Sequence, residues 1–418
     1  MINGCINRSD CVTVQTGTDW INMQIRIIRV FISLLATYGC WFASGAPAII
    51  PAPPRLAAEG YLLMDADSGH VLVEHNSQQR LPPASLTKIM TSYVAAAEIG
   101  SGRLKQDEEA SISVKAWQKQ GSKMFVKEGT KVRVIDLLRG IIVQSGNDAS
   151  IALAEHIAGG EDAFADVMNQ HAALLGMRDT NFVNATGWPD EDHYTTAADL
   201  VKLTRALIVD YPEHYKLYRE KDFTYGAPGE IPKKQLNRNR LLWRDKSVDG
   251  VKTGYTEAAG YCLVSSAVRK GMRLITVVMG ATSEESRVTE SQKLLSYGFR
   301  YFETLNLYDA EETLRTVRVW GGEKRSIDLG LQQPVIITVP RGTKADLEAS
   351  MTVQGVIKAP FSKGESLGTL SVTNGETTVA DVPMVALVSV EEAGFFQRIW
   401  DAVLLFFTQM FSVDPLQV

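Results

Sequence analysis

Ser85-Leu86-Thr87-Lys88 opens an apolar run that continues from Ile89 to Ala97. The run reads as a buried helix, and Pro82-Pro83 just before it suits a helix entry. Residues i and i+3 share a helix face, so the Ser85 hydroxyl and the Lys88 amine fall within hydrogen-bond reach. A serine hydroxyl is a weak nucleophile at its own pKa and needs a neighbouring base. A lysine can be that base only where its surroundings depress its pKa, as burial at an apolar helix start does. Two more polar clusters follow, Ser145-Gly146-Asn147 inside an apolar helical pattern and Lys252-Thr253-Gly254 at a strand end. Singly these are ordinary: a helix start, a turn and a hairpin end. In order along one chain they supply what acyl transfer needs. Ser85 attacks, Lys88 takes its proton, and Ser145 passes a proton to the leaving group. Asn147 hydrogen-bonds a substrate amide, while Lys252 and Thr253 hold a terminal carboxylate by charge and by hydroxyl. Gly254 lets substrate backbone approach the strand, and the backbone N–H groups of Ser85 and Tyr255 form an oxyanion hole.

The elements that must hold these groups follow from periodicity. Tyr61 to Met64 and Val71 to Glu74 read as strands around the turn Asp65 to Gly69. Val134 to Leu138, Ala149 to Ile157, Phe164 to Leu175, Thr196 to Ile208 and Glu290 to Phe302 have helical spacing. Phe182 to His193 is a long loop rich in Asn, Gly, Asp and Pro. Tyr261 to Val268 and Leu274 to Met279 are strands joined by the turn Arg269-Lys270-Gly271. Strands early and late with helices between make an α+β arrangement, an antiparallel sheet beside a helical block. After about Leu305, short β-rich runs separated by Gly and Asn turns predict a small all-β domain. The expected division is 1–48 extension and export segment, 57–305 catalytic domain, 306–390 β domain and 394–411 terminal helix.

The 418 residues carry a net charge of -5 and no basic stripe, which argues against a nucleic-acid partner. From Met23 the order is charged, apolar, then small residues to Ala48, the pattern of a secretory signal peptide. Cys5, Cys11 and Cys40 fall in or before it, so an exported chain keeps Cys262 alone and forms no internal disulfide. The six histidines contain no His-x-x-x-His pair, and no metal or cofactor is called for. At the other end, Phe395, Phe396, Ile399, Trp400, Val403, Leu404, Phe406, Phe407, Met410 and Phe411 make a wide aromatic helix face, with Gln397, Arg398, Asp401, Thr408, Gln409 and Ser412 opposite. That helix is short for a span and suits a position lying in a bilayer interface.

The three motifs resemble those of the penicillin-recognising serine acyltransferases. Further phrases are similar to the D-alanyl-D-alanine carboxypeptidases among the low-molecular-mass penicillin-binding proteins: Pro83 to Lys88, Gln144 to Ala149, Gln235 to Asn239, Asp249 to Gly254 and Ser291 to Arg300. The resemblance runs from about Leu62 to the C-terminus. It implies removal of the terminal D-alanine from peptidoglycan pentapeptide stems in the periplasm, with covalent inhibition by β-lactam antibiotics such as penicillin. It also implies that Arg238 helps orient the substrate carboxylate and that Ser122 belongs to a loop beside the site. Two positions depart from the pattern. Tyr255 stands where relatives often have His, and an Arg found in some relatives is Thr282 here, with Arg287 nearby. Class A β-lactamases share the motifs but need a carboxylate to activate the deacylating water. No Glu-x-x-Leu-Asn lies between Ser145 and Lys252, and Asp190, Glu191 and Asp192 read as a solvated turn. A D,D-endopeptidase uses the same groups, and a penicillin-sensing or wall-binding protein without turnover is the reading from a different class.

Overall fold

The computed structural model describes residues 49–411 and 414–416. The expected export segment lies outside the described residues. Five antiparallel strands form the central sheet: β1 (Gly60–Asp65), β2 (Val71–His75), β3 (Val248–Thr256), β4 (Gly260–Arg269) and β5 (Met272–Ala281). Their spatial order is β2-β1-β5-β4-β3, which joins the two ends of the sequence pattern into one sheet. Alternation along β1 sends its side chains to two different cores. Leu62 and Met64 pack with Ile89, Met90 and Val94 of helix Thr87–Gly100 and with Leu200 and Leu203 of helix Ala197–Asp210. Tyr61 and Leu63 pack with Val288, Leu294 and Leu295 of helix Glu284–Tyr301. Both faces of the sheet are therefore covered. Gly298 brings that last helix close, since a Cβ there would lie 2.6 Å from the Leu274 side chain.

The helical block holds a third core, where Leu137 and Leu138 of helix Val134–Arg139 meet Ile151 and Leu153 of helix Asn147–Ala158. Two helices start earlier than their apolar periodicity. One begins at Glu161 rather than Phe164, and the other at Glu284 rather than Glu290. Their first turns are acidic and polar, a composition that suits a helix N-terminus but hides it from a hydrophobic pattern. Ser283 caps the second, accepting from the Ser286 N–H at 3.0 Å.

Helix Glu284–Tyr301 runs straight into strand Phe302–Tyr308, which pairs antiparallel with Val335–Pro340. A six-stranded sheet follows, in the order Leu347–Val353, Ser366–Asn374, Thr377–Ala386, Ser326–Gly330, Arg315–Trp320 and Ile357–Lys358. Asp65, at the end of β1, accepts from the hydroxyls of Thr304 at 2.5 Å and Thr338 at 2.7 Å, tying the two sheets together.

Helix Phe395–Met410 lies on the β region with its polar side inward. Asp401 is only 8% exposed and accepts from the Gly321 N–H at 3.0 Å. Gln397 donates to the Gly322 carbonyl at 3.0 Å. Phe395, Phe396, Trp400, Phe406, Met410 and Phe411 are all exposed. Among the described residues, no helix is long and apolar enough to cross a membrane.

Candidate active site

Ser85 sits in a single 3-10 turn, Ala84–Leu86, that leads into helix Thr87–Gly100. Ala84 has φ +48°, a left-handed conformation that is unusual for a residue with a Cβ. Two glycines surround this turn. A Cβ on Gly187 would overlap the Ala84 carbonyl oxygen at 1.7 Å, and Gly187 itself has φ +79°. A Cβ on Gly254 would lie 3.1 Å from the Pro83 carbonyl oxygen and 3.3 Å from the Ala84 Cβ. The sequence reading gave Gly254 to the substrate. In the fold its bare backbone admits the nucleophile turn.

Lys88 is fully buried. Its Nζ donates to Ser85 Oγ at 3.1 Å, Asn147 Oδ1 at 2.8 Å and the Thr186 carbonyl at 2.5 Å. Burial is the main cause that brings its pKa down to about 7, and the Arg238 charge pushes the same way. A large fraction of Lys88 is then a neutral amine at neutral pH, which the serine–lysine chemistry requires. Thr186 lies in the long loop 182–193, so that loop holds the Lys88 amine in place. His193 ends the loop, accepts from the Val183 N–H at 3.1 Å and meets Thr87 Oγ1 at 2.8 Å. Burial holds the pKa of His193 down near 4, so it is a neutral structural group at neutral pH.

Ser145 follows the π-helical turn Gly140–Gln144 and has φ +65°. Its hydroxyl is buried and has no hydrogen-bond partner among the described residues. An unpaired buried hydroxyl is costly, and it is free here to accept and pass a proton. Asn147 lines a cavity beside Ser85 and also has partners within the protein. Its carbonyl accepts from Lys88, and its Nδ2 donates to the Gln120 carbonyl at 2.8 Å. The side chain therefore couples the base to the loop 120–126. Asp148, which the sequence reading passed over, anchors the same loop. Its carboxylate accepts from the backbone N–H groups of Met124 and Phe125 at 2.8 Å and of Val126 at 3.1 Å.

Two cavities meet at Ser85. The first, about 410 Å³, is lined by Ser85, Ser122, Ser145, Arg238, Thr253, Gly254, Tyr255, Tyr261, Glu284 and Arg287. Its positive charge comes from Arg238 and Arg287, set against Glu284, which pairs with Arg240 at 2.9 Å and with Arg287 at 3.6 Å. Arg287, left open by the sequence, is buried and donates to the Gly254 carbonyl at 3.0 Å. It enters from the helix that Ser283 starts, not from the end of β5. Lys252 is buried, does not line this cavity, and donates to the Thr253 carbonyl at 3.0 Å. Burial, helped by the charges of Lys88, Arg238 and Arg287, lowers its pKa well below the ordinary value. The second cavity, about 640 Å³, is lined by Ser85, Ser122, Asn147, Trp188, Tyr255 and Glu257 among others. Tyr255 is half exposed, rests against Tyr261 at 4.3 Å between ring centroids and borders both cavities. The loop acids Asp190, Glu191 and Asp192 are exposed and line neither cavity. Among the described residues no cluster of His, Cys, Asp or Glu could hold a metal ion.

Known proteins share this arrangement. Residues 48–283 match the family described as D-alanyl-D-alanine carboxypeptidase, and residues 302–392 match the penicillin-binding protein 5 C-terminal domain. The chain is similar to the D-alanyl-D-alanine carboxypeptidase DacC of Escherichia coli strain K12, at 42% identity over 367 residues, 86% of this chain and 90% of that protein. It is also similar to the crystal structure of penicillin-binding protein 5 from Haemophilus influenzae. There the TM-score is 0.78 at 40% identity, covering 82% of this chain and all (100%) of the other. The D-alanyl-D-alanine carboxypeptidase DacD of Francisella tularensis gives a TM-score of 0.71 at 37% identity, over 84% of this chain and 98% of that one. A serine–lysine pair buried between a helical block and an antiparallel sheet, followed by this β region, thus belongs to a chain of the D-alanyl-D-alanine carboxypeptidase family.

Proposed function

We propose that this D-alanyl-D-alanine carboxypeptidase cuts the terminal D-alanine from peptidoglycan pentapeptide stems through an ester on Ser85. Neutral Lys88 accepts the Ser85 proton as Oγ attacks the carbonyl carbon of the penultimate D-alanine. The backbone N–H groups of Ser85 and Tyr255 receive the developing oxyanion. The proton that Lys88 took passes through the Ser145 hydroxyl to the departing amine, which returns Lys88 to its neutral form, and D-alanine leaves with its carboxylate held by Thr253, Arg238 and Arg287. Lys252, buried beneath them, adds positive charge once a bound carboxylate raises its pKa. Water then hydrolyses the ester, with Lys88 again as base. Asn147 acts by fixing Lys88 and the substrate-side loop.

The observation that carries this reading is the Lys88–Ser85 contact of 3.1 Å with Lys88 fully buried beside a cationic cavity. A β-lactam presents the same carbonyl and carboxylate, so penicillin acylates the same serine. The test is mass spectrometry of protein treated with benzylpenicillin, together with D-alanine release from a diacyl-Lys-D-Ala-D-Ala peptide. The expected results are one adduct mapped to Ser85, and release that disappears in Ser85→Ala. An adduct on another side chain overturns the assignment. The exposed positions of Asp190, Glu191 and Asp192 favour slow deacylation over the lactamase reading, so the penicillin adduct should outlast seconds.

The chain acts on the periplasmic side of the inner membrane, exported by the segment 23–48 and attached by residues 394–411. The exposed aromatic face of that helix supports the attachment, since large apolar side chains contribute on the order of 1.5 kcal/mol or more each when taken out of water. On this reading residues 57–305 carry the chemistry, and the β region 306–390 lies between them and the terminal helix along the chain.

A further inference from the structure

Helix Phe395–Met410 docks on the β region through Gln397 and Asp401, yet the seam between helix and sheet is not closed. A cavity of about 370 Å³ lies along it, lined by Trp320, Lys358, Glu392, Arg398, Asp401 and Phe406 among others. Trp320 and Lys358 are neighbours across two paired strands. Trp320 is buried, whereas Lys358 is exposed and its ammonium has no ion pair or hydrogen bond among the described residues. Arg398 and Glu392, both exposed, pair with each other. Asp401 is buried. One of its carboxylate oxygens accepts from the Gly321 N–H at 3.0 Å, and the other has no hydrogen bond among the described residues. Phe406 is also part of the exposed aromatic face, so the cavity borders that face. Two cations and two carboxylates thus line one cavity at the edge of an apolar surface.

We propose that this cavity receives the headgroup of a phospholipid that carries both a phosphate and a primary ammonium, as phosphatidylethanolamine does. The site rests on the membrane attachment proposed above and adds a choice of lipid to it, since an aromatic face alone buries in any acyl layer. The depth is right. An interfacial helix sinks its apolar face about 5–10 Å into the boundary of headgroups and acyl chains, and a helix is about 10–12 Å across. The docked side of Phe395–Met410 then stands level with the phosphates. Lys358 and Arg398 take the phosphate oxygens, while Glu392 and the open oxygen of Asp401 take the ammonium. The charges select this class of headgroup. A phosphate without an amine brings no cation to the two carboxylates, and a choline nitrogen has no N–H to donate. Solvent reaches Lys358 and Arg398, so the preference amounts to about three- to tenfold in vesicle partitioning and weakens as salt is added.

The test measures flotation of the full chain with vesicles of equal acyl composition: phosphatidylcholine alone, or mixed equally with phosphatidylethanolamine or with phosphatidylglycerol. The ethanolamine vesicles should bind most, by the factor above. Lys358→Met and, separately, Arg398→Gln should bring that binding down towards the phosphatidylcholine level and leave D-alanine release from a soluble peptide unchanged. The looser packing of an ethanolamine bilayer acts on the aromatic face of all these proteins alike, so it cannot produce a difference between them. A preference kept by both variants, equal binding to all vesicles, or strongest binding to the phosphatidylglycerol set overturns the headgroup site alone. Binding of glycerophosphoethanolamine in solution without any vesicle preference gives the cavity to a soluble ligand and overturns the lipid. No flotation with any vesicle overturns the membrane attachment and the site with it.

Discussion

The nucleophile region and the terminal helix invert the usual rule of burial in opposite ways. Around Ser85, charged and polar groups are taken out of water: Lys88, Lys252, Ser145 and Asp148 are all buried. On helix Phe395–Met410 the aromatic groups face water, while the lone carboxylate, Asp401, is hidden beside Leu405. Each inversion costs stability, because buried polar groups need partners and exposed aromatic surface is disfavoured. At the first, the cost yields a neutral amine beside a hydroxyl. At the second, it leaves an apolar surface that only an apolar phase relieves. The two are separable if the chemistry depends only on the first and attachment only on the second.

The largest expected effect breaks the first region and leaves the second alone. Ser85→Ala should lower D-alanine release on the order of 10⁴-fold or more, to background, while the protein sediments with membranes as before. The pH profile sharpens the same point. Lys88 acts as a base only when deprotonated, and its pKa is drawn down to about 7. Below that pH, kcat/KM should fall about tenfold per unit as Lys88 takes up a proton, and above it should level off. A profile flat from pH 5 to 9 would remove Lys88 from the role of base. Gly187→Ala tests how the turn is held. The added methyl meets the Ala84 carbonyl, and the residue needs φ +79°, so the variant should lose roughly 2 kcal/mol or more in a denaturant titration and acylate slowly with benzylpenicillin.

How much of this was legible before any coordinates depended on distance along the chain. Ser85 and Lys88 could be paired because both stand in one turn of one segment, and helix geometry links them directly. The α+β class and the β-rich end followed from periodicity in the same local way. The role of Arg287 was not legible. It depends on where a helix starts, and Ser283 sets that start six residues before the first apolar repeat, Glu284 against Glu290. Gly254 and Asn147 line the cavities at Ser85, and what was not legible is their packing within the protein, against Pro83 and Ala84 in one case and with Lys88 and Gln120 in the other. Lys252 was read as a clamp on a carboxylate, and its burial was not legible, because a strand sequence does not tell which of its charged side chains faces the interior. The polar and apolar sides of the terminal helix were both legible. Which side docks on the protein required the fold.

A truncation before Gly394 reverses the first prediction: the membrane fraction is lost and kcat/KM on a diacyl-Lys-D-Ala-D-Ala peptide is kept. Persistent sedimentation of the shortened chain would assign attachment to another surface, and a drop in kcat/KM would couple the two regions.

Asp401 gives the smallest effect and the finest distinction, because it belongs to the helix but not to its apolar face. Its carboxylate is the acceptor for the Gly321 N–H. Asp401→Ala leaves that amide without its partner and frees one side of the helix from the β region, a loss of about 1–3 kcal/mol for a buried donor left unsatisfied. Exchange of the Gly321 amide with deuterated solvent should speed up accordingly. Membrane retention should persist, since Phe396, Trp400 and Phe406 are untouched and already point outward. If the variant instead leaves the membrane fraction, the aromatic face binds only when the helix is held rigid against the β region. Attachment is then a property of the docked pair, not of the helix alone.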